Sequence, residues 1–406
     1  MTVSTLADLL VALEDDAVST VALDTDLSAV PSFTLPPGKA LEGRGSGVRL
    51  TFNDGGDGIV LTTDNRLANI RLDTDVKRCA VLNDTSVSTL GRLSFRDVTT
   101  VGRVRILARE NVRGGHVEID GLDIVAADAR AERERPHGYG VYVIQGAFTL
   151  WNMQADPNVQ ITANLLRMRA GREKAPVRGS GIFLSGAGDT GGNVRVDHLE
   201  TNAVFSDGGI AAGTPDQISG GVFTVYGCHA RLVRNHEPVT TYGQNDMVLD
   251  NWGEVDVWIA QAPITSFGPS GIGFVNFGTL SELRCDAPIE TFGLGARGFN
   301  VYDGTCKSAD FNRIVTHGDG AVGIQISKPV GRIVVREGIE TFGGTGDSLV
   351  KGVVTSLSAV ALSVKAGGEA TLIDIAGGCK TNAAGIPPIE MHGSVRSLRV
   401  DCVAAQ

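Results

Sequence analysis

Apolar and polar residues alternate along this chain in short bursts bounded by glycine, and in the second half the bursts return at a fixed interval. Gly243, Gly268, Gly293, Gly318, Gly343, Gly368 and Gly393 each stand 25 residues from the next. Four residues before each comes a β-branched aliphatic: Val239, Ile264, Ile289, Ile314, Ile339, Val364 and Ile389. A hydroxyl column, Thr241, Ser266, Thr291, Thr316 and Thr341, runs beside an aromatic one, Tyr242, Phe267, Phe292, His317 and Phe342, into which His392 also falls. Segments such as Val257-Trp258-Ile259 and Gly271-Ile272-Gly273-Phe274-Val275 are short and β-branched, which predicts strands. A constant period of this size is the signature of a repeat architecture, and a propeller blade would need a longer one, roughly 40–50 residues. The expectation is an all-β fold, a right-handed parallel β-helix solenoid with 25-residue coils. Like residues then stack about 4.8 Å apart, and each inward aliphatic contributes roughly 1.5–3 kcal/mol by burial.

A solenoid core grows by adding coils, so all 406 residues are read as one domain. The run Thr5 to Glu14 has apolar residues at helical spacing after possible N-caps, so residues 1–16 are expected to form a helical cap over the first coil. Residues 239–393 are expected to be regular coils. Between 123 and 242 the period fails. The strand-like segments Gly140-Val141-Tyr142-Val143, Gly181-Ile182-Phe183-Leu184 and Gly209-Ile210-Ala211 are unevenly spaced there, so the surplus residues must leave the coils as loops. These are the charged run Asp128 to His137, the basic loop Arg167 to Arg178 and the polar segment Ser206 to Gln217. Loops on a rigid scaffold are where binding and catalysis concentrate, so the cleft is expected on these coils.

Composition adds limits. A net charge of −10 argues against nucleic acid or an anionic membrane surface as a partner. The six cysteines, Cys79, Cys228, Cys285, Cys306, Cys379 and Cys402, lack metal-type or CxxC spacing and read as buried thiols. No apolar run approaches the ~20 residues of a membrane span, and no signal-like stretch opens the chain. The expected location is cytoplasmic, or secreted if a signal peptide has been removed.

The succession of capping helix, the Leu35-Pro36-Pro37-Gly38 turn, Leu41-Glu42-Gly43-Arg44-Gly45 and Gly58-Ile59-Val60-Leu61 resembles the opening coils of the pectin lyase-like superfamily of right-handed parallel β-helices. That superfamily holds lyases, hydrolases, epimerases, fructan-cleaving transferases and phage tailspikes, so the resemblance implies the fold and leaves the reaction open. Several of its enzymes are trimers with sites between subunits, which implies a homo-oligomer, a trimer above other states. Arg195-Val196-Asp197-His198 followed by Asp207-Gly208-Gly209 is similar to the calcium-side stretch of pectate lyases, which would make Asp197 and Asp207 metal-side residues if the chain is a calcium lyase. The usual Trp and Ile are replaced by Arg195 and Val196, and no RxPxxR element follows. Otherwise no metal or other cofactor is expected.

The candidate catalytic residues are Asp207, Asp216 and Asp246, three acids on the irregular coils. Glycoside cleavage needs two carboxyl groups about 5–5.5 Å apart with a nucleophile, or about 6.5–9.5 Å apart with a water between them. Aligning the coils puts Asp246 in a column with Gly140, Gly181, Gly209, Gly271, Ala296 and Ala321, with Asp207 one coil away. Asp207 in Ser-Asp-Gly-Gly and Asp246 after Asn245 equally suit turns. Candidate substrate-binding residues are His229, Arg234, His236, Glu237, Tyr242, Asn245 and Trp252. The histidines are there for proton transfer and Trp252 for stacking on a sugar ring; Trp258 is expected in the core. The function expected is a carbohydrate-active enzyme that cleaves or rearranges glycosidic bonds in an oligo- or polysaccharide, as a hydrolase or an intramolecular glycosyl or fructosyl transferase. The alternatives are a lyase acting on uronic-acid glycans and a non-catalytic glycan-binding or structural β-helix.

Overall fold

The computed structural model describes residues 1–45, 47–135, 140–350 and 352–401; His137 and Cys402, named above, lie outside them. Each regular coil has a long first strand such as Glu254–Ala260, a three-residue second strand such as Ile264–Ser266 and a third such as Ile272–Asn276. All three pair in parallel with their counterparts on the next coil, Trp258 with Leu283, Ile264 with Ile289 and Phe274 with Phe299. The chain is therefore a parallel β-helix with three faces. Its core is made of stacked columns, among them Trp258, Leu283, Ala309, Ile333 and Ile373 from the first face and Phe274, Phe299, Ile324 and Leu362 from the third.

The glycine column has a steric cause. A Cβ added to Gly268 would lie 1.7 Å from the carbonyl oxygen of Gly243, and one on Gly293 1.9 Å from that of Gly268. Gly318 and Gly343 stand in the same relation to Gly293 and Gly318, at 2.0 and 1.9 Å. Each carbonyl occupies the space a side chain on the next coil would need. Beside this corner the aromatic column stacks with ring centroids 5.4, 5.0, 4.5 and 5.0 Å apart from Tyr242 to Phe342. Phe267, Phe292 and Phe342 are exposed there.

The helix Leu6–Glu14 caps the first coil as expected. The Thr5 hydroxyl oxygen accepts from the Asp8 N–H at 3.1 Å, and Leu9, Ala12 and Leu13 are buried against the core. Its carboxyl end is held by the buried Lys39, whose ammonium donates to the carbonyls of Asp15 and Val18 at 2.6 Å each.

Two expectations of register are corrected. The 25-residue coil does not persist to residue 393, because Ile339 pairs with Cys379 and Thr341 with Thr381. The intervening chain forms an antiparallel hairpin, Thr345–Val350 with Val353–Ser358. Val364 and Ile389 consequently lie on the third face, beside Ile326 and Leu362. The aromatic column stops at Phe342: Asn382 follows on the next coil, and His392 bonds Glu390 instead.

Among the irregular coils, the third-face strands are Gly146–Asn152, Ser180–Ser185 and Gln217–Thr224. Gly209 to Ala211 belongs to a loop. Tyr142–Ile144 lies outside this run, paired to Arg133–Glu134 and Gln217–Thr224. The column of Asp246 is therefore Ser219, Asp246, Gly271 and Ala296. Neither Gly209 nor Gly140 belongs to it.

Because Gly293 has only a carbonyl where a methyl would go, Gly293→Ala forces coils apart in the middle of the ladder. The expected loss is about 2 kcal/mol or more of unfolding free energy, read as a lowered urea midpoint. An unchanged midpoint would mean that the glycine spacing is not set by coil contact.

Candidate functional site

Alternation on the third face sends Leu249, Phe274, Phe299 and Ile324 into the core and the residues that follow them outward. The outward layer is apolar and aromatic over several coils. Phe183, Phe223, Met247, Trp252, Ile272, Val275, Tyr226 and Tyr302 form a second buried cluster outside the solenoid, joined by Phe277 and Val350. Trp252 meets Phe223 and Tyr226 at 5.2 and 5.7 Å and Phe277 at 5.4 Å, and Phe277 stacks on Tyr302 at 5.2 Å. Tyr226, Trp252, Phe277 and Tyr302 wall a cleft of about 890 Å³. Loops carrying Pro157 and Asp189 line it, as do Asn193, Pro215 and Ile218, and Leu349 and Gly352 of the hairpin lie over another part. The cleft thus straddles the irregular coils and the first regular ones.

Its carboxyl groups are Asp189, Asp250, Glu254 and Asp303, and Asn193, His229, Asn245 and Thr279 add further polar groups. Asp250 is completely buried. Desolvation raises its pKa well above the usual carboxylate range, opposed by a hydrogen bond from the Trp252 side chain. Beyond that contact neither carboxyl oxygen has a partner. Burial of this kind favours the neutral, protonated carboxyl over the carboxylate. Glu254 comes four residues later, past the corner at Trp252 and Gly253; it is exposed, and His229 Nδ1 lies 2.8 Å from it.

Of the residues expected at a site, His229, Asn245 and Trp252 line this cleft. Asn245 takes a positive φ of 55° at the turn before Asp246, and its amide donates to the carbonyl of Gln217 at 2.5 Å. The others lie elsewhere. Arg169 Nη2 donates to both carboxyl oxygens of Glu237, at 3.0 and 2.9 Å, and the Asn202 amide donates to one of them. Arg234 and His236 share Glu200, at 3.5 and 2.8 Å. Tyr242 donates to the carbonyl of Glu173 at 2.8 Å and begins the exposed aromatic column. Asp216 is exposed outside the cleft lining.

Asp207 and Asp246 do converge, but between the second and third faces. A Cβ on Gly243 would be 2.6 Å from Asp246 Oδ2 and 2.7 Å from Asp207 Oδ1. Asp207 is ion-paired with Arg178. Asp246 is fully buried and accepts from Ser219 Oγ at 2.6 Å, Gly208 N at 3.0 Å and Gly243 N at 2.8 Å. Desolvation pushes its pKa up to about 6, against these three bonds and with the charge of Asp207 adding to the rise. Its acceptors are used in fastening the loop after Asp207 to the corner at Gly243. Asp197, on the other half of the long strand Asn193–Asp207, is paired with Arg231. The two calcium-side positions are therefore each matched by an arginine. Among the described residues no group of three or more His, Cys, Asp or Glu side chains is placed to hold a metal ion.

Asp250 was not singled out by sequence reasoning. The available signal was its column, Phe223, Asp250, Val275, Asn300, in which an acid interrupts apolar neighbours on a strand otherwise read as core.

No family model matches this chain, and no curated protein or solved structure is significantly similar to it. The fold and the cleft stand on the geometry alone. No helix among the described residues is long and apolar enough to cross a membrane.

The raised pKa of Asp246 makes a signed prediction. The folded state favours its protonated form, so that stabilisation is fully present below the ordinary value of 3.8 and declines as pH rises to about 6. Asp246→Asn stays neutral throughout. Urea midpoints of the wild type and this variant, compared from pH 4 to 7, should show the wild type losing ground relative to the variant up to about pH 6 and then running parallel. A constant difference would mean that Asp246 is not buried as described.

Proposed function

We propose that the third-face cleft binds an oligo- or polysaccharide and that the protein cleaves or rearranges a glycosidic bond there, with Asp250 as the proton donor. The observation that carries this is a completely buried carboxyl group at the wall of an aromatic-lined cleft, where burial favours its protonated form. Aromatic faces suit the apolar faces of sugar rings, and the acids around them suit hydroxyl hydrogen bonding. Glycoside cleavage uses one neutral carboxylic acid and one carboxylate. Asp250 supplies the first: its proton passes to the glycosidic oxygen as the bond from that oxygen to the anomeric carbon breaks. Glu254, oriented by His229 at the same corner, supplies the second, as nucleophile or as base for a water. Asp207, Asp216 and Asp246, expected from sequence to do this chemistry, are replaced in this proposal, because none of them lines the cleft.

The lining contains no lysine or arginine among the described residues, which favours neutral sugars over uronic-acid glycans within the cleft itself. The second reading is glycan binding without turnover. It is favoured by the complete burial of Asp250, whose oxygens a substrate reaches only after local opening.

A panel of neutral and acidic glycans, with products read by mass spectrometry, separates these. On a substrate that is turned over, Asp250→Asn and Glu254→Gln should each lower the rate by about 10²–10⁴-fold. Because Asp250 acts in its protonated form, the rate should fall as pH rises through its elevated pKa. Binding without any product would select the second reading, and full activity in Asp250→Asn would remove Asp250 from the mechanism.

A further inference from the structure

The column that holds Ile272 continues with Arg297 and Val322, so an arginine stands where its neighbours are aliphatic. Arg297 is completely buried. Its Nη1 donates to the carbonyl of Gly295 at 3.2 Å, while Nε and Nη2 have no partner, and it forms no ion pair among the described residues. The guanidinium carbon lies 5.8 Å from the centroid of the Tyr302 ring, which places the head group in the outer layer rather than in the solenoid core. On the same strand, Asn300 points outward between the core residues Phe299 and Val301, and both of its amide atoms are buried and unpartnered. Its register partner Gln325, outward between Ile324 and Ile326, has a buried carbonyl oxygen in the same condition.

Over this corner lies the hairpin. Ser348 donates to the carbonyl of Gly295 at 2.7 Å, the same oxygen that Arg297 uses, and the Leu349 N–H donates to Ser270 Oγ at 3.0 Å. Leu349 and Tyr302 both line the cleft, so the arginine stands immediately behind the cleft wall.

Burying one guanidinium without a counter-charge is strongly unfavourable, and buried polar groups in folded proteins are nearly always satisfied. The missing partner must be negative and must accept hydrogen bonds. Arginine is the side chain best shaped to present two parallel N–H groups to an oxyanion, and an amide N–H beside it extends the same cradle.

We infer that Arg297 and Asn300, beneath the hairpin Thr345–Ser358 and beside the cleft, form a binding site for a compact oxyanion. The chemistry has two sources, a free inorganic or carboxylate anion, or an anionic substituent on a glycan whose neutral part occupies the cleft. In either case Tyr302 and Leu349 mark the way in. The inference does not depend on turnover in the cleft.

The test uses the full chain and sodium formate as probe, with thermal unfolding followed at constant ionic strength. The expected result is a saturable rise in melting temperature at millimolar formate that disappears in Arg297→Met and persists in Arg396→Gln, which removes an exposed arginine. Should Arg297→Met not fold, Asn300→Leu keeps the charge and removes the amide, and it should weaken formate binding by about tenfold. A second arm compares galactose oligosaccharides carrying a single galacturonate residue with their wholly neutral counterparts. A preference of about tenfold or more for the acidic series, abolished by Arg297→Met, assigns the site to a glycan substituent. Formate binding with equal affinity for the two series assigns it to a free ion. A non-saturable response, or one unchanged in both Arg297→Met and Asn300→Leu, overturns the site. Loss of neutral-glycan binding would instead count against the cleft assignment, so the two failures are distinguishable.

Discussion

Everything in this molecule is set by the approach of one coil to the next. Parallel strands stack at a distance that leaves no choice at the corners, where the carbonyl of Gly243 fills the place of a Cβ on Gly268 and the relation repeats through Gly343. That contact fixes the length of a coil, since an added residue at such a corner moves every later side chain out of its column. It also explains the conserved chemistry of each column within the chain, with aliphatic above aliphatic in the core and ring above ring at the second corner. Insertions are tolerated only where they leave the coil altogether, as loops or as the hairpin Thr345–Ser358.

The same rule produces the cleft. A β-helix strand sends alternate residues outward, and on most of the surface those residues are polar. On the third face they are Met247, Trp252, Phe277 and Tyr302, covered by loops from one side and by the hairpin from the other. Covering an outer face creates a second low-dielectric layer. Charges placed in it, Asp250 and Arg297, lose their water, and each responds in the way its chemistry allows. Burial favours the carboxyl's neutral form. The guanidinium, which cannot lose its proton, calls for an anion.

Much of the fold was legible in the sequence because identical positions repeat, and repetition reports stacking directly. The capping helix was legible from Thr5 and the spacing of Leu9, Ala12 and Leu13. The hairpin was not, because Val364 and Gly368 happen to preserve the interval of 25 from Ile339 and Gly343 while belonging to another face. The irregular coils misled for a related reason: Gly-Ile-Ala at 209–211 looks like a strand start, yet Gln217–Thr224 takes the pairing. Of the cleft lining, Trp252, His229 and Asn245 were legible through position and residue type. Asp207 and Asp246 were correctly brought near one another but fasten a corner, with Asp246 saturated by Ser219, Gly208 and Gly243. Asp250 escaped notice because burial on the outer side of a strand depends on what covers it, and nothing local in sequence announces that cover.

The most direct measurement is a crystal structure of Asp250→Asn soaked with a neutral oligosaccharide. The cleft assignment requires sugar rings against Trp252, Phe277 and Tyr302, with a glycosidic oxygen facing position 250. Sugar bound instead along the exposed column from Tyr242 to Phe342, with the cleft empty, would contradict it.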